Sequence, residues 1–337
     1  MNFYSIAIDY KNTPLSLREH ACLRRDQIVR FWKESVFESE VLFTCNRVEI
    51  YGLAENTELL IKDIANFKSQ FHPIFEKAHF IQDTQGVIRK ALRLACGLES
   101  QIVGERQILE QLDSWVRRDS FSWPIKNLWR GVLTSSYDLR QQLDLFGNEN
   151  NISEIVLEDL IFNTGLASKK KVLIVGTGKI AKMFSESKFT DLELYFFAKK
   201  KIKKAQSLAR KNSAKVFLLD NLSEELLGAD CLVSATSSPH QVLSSKLLVK
   251  VIRLRKKPLY VYDLALPRDI DFELTKIPGV FLKNLDSLSD LCKRHNQSMS
   301  SYVKLAEAAI EEQVLAIRRQ IDDSLYQNRN SAEFVSA

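Results

Sequence analysis

The chain contains 337 residues, of which 45% are hydrophobic and 27% are charged, and it carries a formal net charge of +6. This length predicts two domains and an extension rather than one small core. The sequence has no uncharged apolar run of about 18 residues and no basic leader with a cleavage site, so neither a transmembrane helix nor a signal peptide is expected.

Five cysteines without a paired spacing favour reduced thiols and a cytoplasmic location. Lysines and arginines cluster at 199–204 and 253–257, and this charge is compatible with a polyanionic partner. Such clusters usually face solvent, and the sequence has no RNA-binding signature of its own. Composition alone therefore does not predict a nucleic-acid partner.

The first 146 residues predict a compact α+β layer followed by helices. Short strands are expected at 3–9, 40–44, 48–54 and 77–81, with helices near 25–37 and 57–69 between them. From Asp83, a suitable N-cap, the apolar pattern becomes helical. Two further helices are expected at 105–118 and 123–144.

Residues 44–51 read Thr-Cys-Asn-Arg-Val-Glu-Ile-Tyr and contain the candidate nucleophile, Cys45. If the strand extends through Cys45, alternation places Cys45, Arg47 and Glu49 on one face, with Val48 and Ile50 facing a core. Arg47 suits a substrate carboxylate, and Glu49 suits an ammonium group. A cation beside Cys45 is expected to depress the pKa of its thiol. The alternative is a small buried apolar residue, which fits Cys22, Cys96, Cys231 and Cys292.

Residues 97–111 read Gly-Leu-Glu-Ser-Gln-Ile-Val-Gly-Glu-Arg-Gln-Ile-Leu-Glu-Gln. Gly104 precedes an expected helix, where it would let the backbone approach a ligand closely. Gln107 and Gln111 lie one helical turn apart and share a face. They could bind a polar substrate over Cys45, or they could simply face solvent.

Residues 147–283 predict a doubly wound Rossmann-type domain. The apolar stretch 172–175 is followed by Gly176, Thr177, Gly178, Lys179, Ile180 and Ala181, the turn and helix start that a dinucleotide pyrophosphate needs. After the next strand, 194–197, Lys199 and Lys200 stand where an acidic residue would select NAD, so NADP is favoured. Further strands are expected at 215–219, 231–235 and 259–264. The loops 236–239 and 266–268 follow two of them, at the edge where such folds bind ligands.

From about Asp286 to Leu325 the chain has no proline or glycine, and apolar residues recur at helical spacing. One helix of about 40 residues is expected, packed on the chain's own two domains. We assign it to residues 284–327, with a polar tail at 328–337. Cys292 and His295 form a Cys-x-x-His pair without a second ligand pair, so no metal site is predicted.

The motifs at 44–51 and 97–111, taken together, closely resemble those of the glutamyl-tRNA reductases. Residues 12–19 and 263–270 match further segments of that family in the expected order, and the resemblance covers most of the chain. It implies a ferredoxin-like catalytic domain, a Rossmann domain that binds NADPH, and a long "spinal" helix. Relatives normally continue into a helical dimerisation domain, so the family's homodimer is expected to be weakened or rebuilt here.

The resemblance implies NADPH-dependent reduction of glutamyl-tRNA(Glu) to glutamate 1-semialdehyde, with release of tRNA, through a thioester on Cys45. This is the first step of tetrapyrrole (porphyrin) biosynthesis, and glutamate-1-semialdehyde aminomutase is a candidate partner at the family level. Carried over by position, the residues that line the substrate pocket are Thr44, Asn46, Arg47, Ser100, Glu105, Gln107 and Gln111.

The chain departs from the family pattern at several positions. Lys90 replaces a histidine held important for activity, and Tyr10 stands where a histidine is also usual. Lys90 could lower the pKa of Cys45 or stabilise an oxyanion, but it is a poorer proton shuttle than histidine. Arg106 replaces a proline and could touch the tRNA terminus or face water. Ala198 and Lys199 replace an Asn-Arg pair beside the cofactor.

Two alternatives therefore stay open. One is an NADP-dependent reductase of another acyl thioester. The other is a tRNA-binding regulatory protein with little turnover.

Overall fold

The computed structural model describes residues 2–118, 120–143, 151–165, 168–210, 213–243 and 245–335. The chain forms two compact units, Met1–Asn150 together with His295–Ala337, and Asn151–Arg294. The expected domain boundary between residues 146 and 147 lies outside the described residues. Within the described ranges, no helix combines the length and apolarity needed to cross a membrane.

The first unit is built on a four-stranded antiparallel sheet. Its elements are β1 (Asn2–Asp9), α1 (Leu15–Leu23), α2 (Arg25–Glu34), β2 (Glu38–Phe43), β3 (Arg47–Ala54), α3 (Thr57–Gln70) and β4 (His79–Ile81). The strand order is β2-β3-β1-β4, and every neighbouring pair is antiparallel. This order and connectivity are those of the ferredoxin-like fold, which confirms the expected fold class.

Both faces of this sheet are buried because successive side chains point to opposite sides. Tyr4, Ile6 and Ile8 belong to the core that contains Trp32 of α2 and Phe67 of α3. Val48 and Ile50 of β3 belong to the same core, as their alternation predicted. Phe3, Tyr51 and Leu53 belong to a second core on the opposite face.

Three helices that follow the sheet in the chain contribute to that second core. They are α4 (Thr84–Ala95), α5 (Gln107–Val116) and α6 (Trp123–Gln142). The carboxylate of Asp83 accepts a hydrogen bond of 2.6 Å from the Gly86 amide, so Asp83 is the N-cap of α4, as expected. The indole of Trp115 on α5 donates to the Val41 carbonyl of β2, at 3.1 Å. These contacts hold the helices against the sheet.

The second unit is a doubly wound domain with a six-stranded parallel sheet. Its elements are α7 (Ile152–Thr164), β5 (Lys170–Val175), α8 (Lys179–Ser185), β6 (Leu192–Ala198), α9 (Ile202–Ala209), β7 (Lys215–Leu218), α10 (Leu222–Leu226), β8 (Cys231–Ser234), α11 (Ser245–Ile252), β9 (Leu259–Asp263) and β10 (Val280–Asn284). The strand order is β10-β9-β8-β5-β6-β7. This is the Rossmann arrangement, in which the strand order reverses beside β5. The last strand, β10, was not expected from the sequence.

The C-terminal segment differs from the single helix expected from Asp286. It forms two helices, α12 (Ser289–Gln297) and α13 (Ser300–Val335). The amide and hydroxyl of Ser298 both donate to the His295 carbonyl, and the Met299 amide donates to Asn296. These local bonds end α12, because a serine side chain competes with the helical hydrogen-bond pattern.

The long helix α13 also packs differently from the expectation. Its apolar stripe, which includes Tyr302, Ala306 and Ile310, belongs to the core of the first unit with α4 and α6. The C-terminal segment therefore groups with the N-terminal domain instead of forming a separate extension. The helix continues to Val335, through most of the segment expected to be a polar tail.

Candidate active site

Cys45 lies at the tip of the β2–β3 hairpin. The turn consists of Thr44, Cys45 and Asn46, and the Thr44 amide donates to the Arg47 carbonyl at 3.0 Å. The Thr44 hydroxyl accepts from the Asn46 amide at 3.2 Å. The expectation that the strand extends through Cys45 is wrong, because these local bonds turn the chain. The turn leaves the Cys45 side chain exposed to an incoming substrate.

A buried arginine holds the backbone of this turn. Arg18 on α1 is 1% exposed, and it donates to the carbonyls of Thr13 and Cys45 at 3.2 and 3.0 Å. It also donates to the Asn46 side-chain oxygen at 3.1 Å. Arg18 lies in the segment 12–19, which takes part in the family resemblance, but no role was expected for it. Its signal in the sequence is a cation at helical spacing from Leu15 and Ala21, on the buried face of α1.

Arg47 and Glu49 share one face of β3, as alternation predicted, and they form a buried ion pair of 2.8 Å. Tyr51 donates to the second Glu49 oxygen at 2.5 Å, and the Lys90 ammonium lies 3.8 Å from that carboxylate. Burial alone would raise the pKa of Glu49, but Lys90, Arg47 and the hydrogen bonds bring it below its ordinary value. Glu49 has no exposed surface. The role expected for it, binding a substrate ammonium group, is therefore replaced by that of orienting Arg47.

Residues 97–105 form a loop that closes on itself beside the hairpin. Gly97 and Gly104 both have positive φ angles, 78° and 79°, and the Gly104 amide donates to the Gly97 carbonyl at 3.2 Å. A β-carbon on Gly97 would lie 3.1 Å from the Gly104 backbone. The glycines thus let the two ends of the loop approach each other. Gly104 was expected to approach a ligand, whereas here it approaches the chain itself.

The loop is attached to the hairpin by side chains from both sides. Asn46 donates to the Gln101 side-chain oxygen at 3.3 Å, and Arg47 donates to the Glu99 carbonyl. Tyr10, at a position where histidine was expected, donates to the Ser100 carbonyl at 3.2 Å. These bonds bring the motifs 44–51 and 97–111 together, as their joint role requires.

Glu99 anchors the outer side of the same loop. Its carboxylate pairs with Lys11 at 2.6 Å and with Arg93 of α4 at 2.7 Å. Burial opposes ionisation, but these two cations lower the pKa of Glu99 to about 2. The side chain of Glu99 therefore stays charged at neutral pH while its backbone carbonyl accepts from Arg47.

The electrostatic surroundings of Cys45 differ from the expectation. Although Cys45 reaches solvent, the protein packed around it and the Glu105 carboxylate raise the pKa of its thiol to about 11. Arg18 and Arg47 act in the opposite direction without compensating. The expectation of a depressed pKa is wrong, because burial of the thiol, together with the Glu105 carboxylate, outweighs the two arginines. Burial also raises the pKa of Glu105, against a hydrogen bond from Ser100.

The remaining expected substrate residues lie on or before α5. Gln107 and Gln111 are both half-buried on this helix. Arg106 is exposed and lies 3.3 Å from the Glu110 carboxylate. Of the two expectations for Arg106, its position beside Glu110 fits a residue that faces solvent.

In the second unit, the glycine turn after β5 has the geometry that a dinucleotide needs. Gly176 has a φ of 122°, and a β-carbon there would collide with the Ala235 carbonyl. A β-carbon on Gly178, at the start of α8, would meet no atom within 4 Å, so space is available for phosphate. Ala181 is fully buried and packs against the domain core. These features fit a pyrophosphate bound by backbone amides.

The adenosine side of the expected cofactor site adjoins this turn. The Gly176 amide donates to the Phe197 carbonyl at 3.1 Å, so the turn lies beside the end of β6. Lys199 and Lys200 follow directly and are exposed. Their charges stand where a 2′-phosphate would bind, which fits NADP better than NAD.

Two buried aspartates organise the loops at the ends of β8 and β9. The Asp269 carboxylate accepts from the Ser234 hydroxyl at 2.8 Å and from the amide and hydroxyl of Thr236 at 2.8 and 2.6 Å. Asp263 accepts from the amides of Ala265, Asp269 and Ile270 at 3.2, 3.3 and 2.9 Å. Sequence analysis matched this segment to a family without assigning the aspartates a role. Their signal is two carboxylates in a short segment after an apolar strand.

Burial raises the pKa of Asp263 to about 7, even though its backbone hydrogen bonds act in the opposite direction.

Elsewhere, no group of three or more side chains in the described parts of the chain is arranged to hold a metal ion. Cys292 of the Cys-x-x-His pair is buried.

Comparison with known proteins connects both sites to one family. Residues 6–121 match the family model for the N-terminal domain of glutamyl-tRNA(Glu) reductase, and residues 160–291 match the model for shikimate/quinate 5-dehydrogenase. The chain is 31% identical to a glutamyl-tRNA reductase of Methanococcoides burtonii over 85% of its own length and 68% of that protein. It is 27% identical to the Bacillus velezensis enzyme over 96% and 74% of the two chains.

A solved structure supports the fold. The glutamyl-tRNA reductase of Methanopyrus kandleri aligns with 97% of this chain and 82% of its own, at 23% identity and a TM-score of 0.50.

Proposed function

The chain belongs to the glutamyl-tRNA reductase family, and from this membership we propose that it reduces glutamyl-tRNA(Glu) to glutamate 1-semialdehyde with NADPH. This reaction is the first step of tetrapyrrole synthesis. The observation that supports the assignment of residues is the position of Cys45. Its side chain is exposed at the tip of a hairpin, and Arg18 donates a hydrogen bond to its backbone carbonyl. We also propose a cytoplasmic location for this reaction.

In the first half-reaction, the Cys45 sulfur attacks the ester carbonyl that links glutamate to the tRNA ribose. A carbon–sulfur bond forms, the carbon–oxygen bond breaks, and the tRNA hydroxyl leaves with the proton that the thiol loses. Because the pKa of Cys45 is raised to about 11, its thiol is protonated at neutral pH. Proton removal must therefore accompany attack, so a group beside the sulfur has to accept the proton.

Arg47 is the proposed anchor for the glutamate side-chain carboxylate. A guanidinium has five N–H donors, and Arg47 donates to Glu49 and to the Glu99 carbonyl. The buried Glu49 holds the plane of the guanidinium, so the remaining donors have a defined direction. Ser100, Gln107 and Gln111 complete the polar surface offered to the aminoacyl group.

In the second half-reaction, bound NADPH would supply the hydride that reduces the thioester to the aldehyde; the carbon–sulfur bond breaks, and the Cys45 sulfur takes up a proton to become the thiol again. A thioester accepts hydride more readily than an oxygen ester, which is why the chemistry needs cysteine and not serine. Backbone amides of Gly176–Lys179 are the proposed pyrophosphate ligands, with Ala181 packed behind them. Lys199 and Lys200 are the proposed 2′-phosphate ligands. Transfer of the aldehyde to an aminomutase and a homodimeric state stay predictions.

Mass spectrometry of the protein mixed with glutamyl-tRNA, before and after addition of NADPH, tests the proposal. We expect a glutamyl adduct on Cys45 that disappears as semialdehyde forms. Cys45→Ser should give no such thioester, whereas Cys22→Ser, a change at a half-buried thiol of α1, should behave like the wild type.

The other outcomes separate the alternatives. No adduct on the wild-type protein would contradict the enzymatic proposal and favour a tRNA-binding protein. An adduct that forms from an unrelated acyl thioester but not from glutamyl-tRNA would favour a reductase with a different substrate.

A further inference from the structure

Asn296, near the end of α12, binds the middle of the loop 97–105. Its side-chain nitrogen donates to the Gln101 carbonyl at 3.0 Å, and its side-chain oxygen accepts from the Val103 amide at 2.9 Å. Both contacts lie within the first unit, to which the chain returns at His295. One amide side chain thus satisfies a backbone acceptor and a backbone donor that are two residues apart.

The two hydrogen bonds bind the part of the loop that lies between Ser100 and Glu105, the loop residues assigned to the substrate site. Gln101 follows Ser100 directly and accepts from Asn46 of the hairpin turn. Val103 is two residues before Glu105, whose carboxylate is hydrogen-bonded by Ser100. Asn296 therefore fixes the part of the loop that sets the distance between the Ser100–Glu105 pair and Cys45.

The ends of the loop are held by other groups, whereas Asn296 binds the backbone of its middle, next to the contacts that Tyr10 and Asn46 make there. The Tyr302 hydroxyl of α13 donates to the Cys96 carbonyl at 2.8 Å. Arg140 of α6 donates to the Gly104 carbonyl at 2.7 Å. The loop has no regular hydrogen-bonding pattern of its own, so its buried backbone groups need side-chain partners to keep one conformation.

The amide of Asn296 makes both bonds at once because it carries a donor and an acceptor on one planar group. An aspartate could accept from Val103 but would repel the Gln101 carbonyl, and a leucine of similar size could do neither. The identity of residue 296 is therefore matched to the loop backbone, and not only to the volume of the site.

We propose that Asn296 is a positioning residue of the active site, which holds the loop 97–105 against the hairpin so that Ser100 and Glu105 stay beside Cys45. The roles of Ser100 and Glu105 toward substrate rest on the proposed function. The position of the loop relative to Cys45 does not.

The rate at which Cys45 is alkylated depends on the position of the loop relative to Cys45, and it can be measured without any substrate. The thiol responds to the surrounding protein and to Glu105, which suppress its ionisation, and to Arg18 and Arg47, which favour it. If Asn296→Leu frees the loop, packing around Cys45 and the influence of Glu105 both decrease. The pKa of Cys45 should then fall from about 11 toward its ordinary value.

The experiment measures the rate of iodoacetamide modification of the Cys45 peptide by mass spectrometry over a range of pH. Asn296→Leu should shift the midpoint to lower pH, and Asn296→Ala, which removes the same two bonds without adding a charge or a bulky apolar side chain, should shift it in the same direction. Gln297→Leu, a change at the exposed neighbouring position, should match the wild type. Circular dichroism verifies that each variant is folded, and Asn296→Ala decides if Asn296→Leu is not.

A second readout follows the glutamyl adduct in a single turnover. We expect Asn296→Leu to acylate Cys45 roughly ten- to a hundredfold more slowly, because small misplacements of reacting groups cost rates of this order. The apparent affinity for NADPH should not change. Folded Asn296 variants with wild-type alkylation midpoints and acylation rates would overturn the proposal. A wild-type protein that forms no adduct would contradict the proposed function alone, since the alkylation midpoints would still test the role of Asn296.

Discussion

The ammonium nitrogen of Lys90 lies 3.8 Å from a carboxylate oxygen of Glu49, a side chain without exposed surface. The same carboxylate pairs with Arg47 at 2.8 Å, so two cations share one buried anion. Lys90 occupies the position at which the family resemblance led us to expect a histidine. Its place in this chain is therefore beside the group that orients Arg47.

The first prediction concerns this shared charge. Lys90→Met should lower the free energy of unfolding at neutral pH by on the order of 2 kcal/mol, because a buried carboxylate loses one of its two cations. The folded pKa of Glu49 is depressed, so its stabilising contribution is present above the ordinary carboxyl pKa and is lost as pH falls through the folded value. Removing Lys90 should raise that folded pKa, and acid destabilisation should then begin at higher pH.

Urea unfolding at a series of pH values measures both effects. Lys90→Arg keeps the charge and should retain most of the stability. If Lys90→Met unfolds at the same urea concentration as the wild type throughout the series, the ion pair with Glu49 does not contribute to the folded state.

The second prediction concerns the carboxylate that acts on the nucleophile. Because Glu105 raises the pKa of Cys45, Glu105→Gln should lower that pKa and speed alkylation of Cys45 several-fold at neutral pH. In the wild type the rate should rise about tenfold per pH unit below about 11, as the thiolate fraction does. Glu110→Gln, at an exposed carboxylate of α5, is the matched control. An unchanged alkylation rate in Glu105→Gln would show that Glu105 does not influence the ionisation of the Cys45 thiol.

The third prediction concerns cofactor selection. Lys199→Ala should raise the KM for NADPH about tenfold while leaving the KM for NADH nearly unchanged, because only NADPH carries the 2′-phosphate that this cation would bind. Steady-state kinetics with both cofactors measures the ratio. Lys203→Ala removes an exposed charge from α9 and should alter neither value. Equal losses with both cofactors would mean that Lys199 acts on the fold and not on the phosphate.

The fourth prediction concerns the loop after β9. The folded pKa of Asp263 is raised to about 7, so the folded state prefers the protonated acid. The stability that this preference contributes is complete below the ordinary pKa of the carboxyl and is lost as pH rises to about 7. Asp263→Asn should remove that part of the pH dependence, whose slope is at most about 1.4 kcal/mol per pH unit.

Urea unfolding between the two pKa values, followed in Asp263→Asn and in the exposed control Asp220→Asn, measures the slope. The control should keep the wild-type slope. A slope in Asp263→Asn equal to that of the wild type would assign the pH dependence to other groups.

Many elements of both units could be predicted because their signals are local, although α1, α7 and β10 were missed. Alternation in β1 and β3, the glycine turn at Gly176 and the N-cap at Asp83 each depend on residues close together in the chain. The end of a helix is harder to predict, even from neighbouring residues. At Ser298 the single helix expected from the sequence is divided into two. The two motifs of the site were also found in the sequence, but their relation to each other was found only through a resemblance.

Local sequence patterns were enough to predict the fold class of each half and to single out Cys45 as the candidate nucleophile and Gly176–Ala181 as the candidate dinucleotide turn. Tertiary structure alone decided that Cys45 lies in a turn, that Glu49 is buried with Lys90, and that Asn296 reaches the loop of Ser100. The reason is physical: backbone hydrogen bonding and side-chain periodicity are set by neighbours in the chain. The ionisation of a thiol or a carboxylate is set by burial and by charges that only folding brings near.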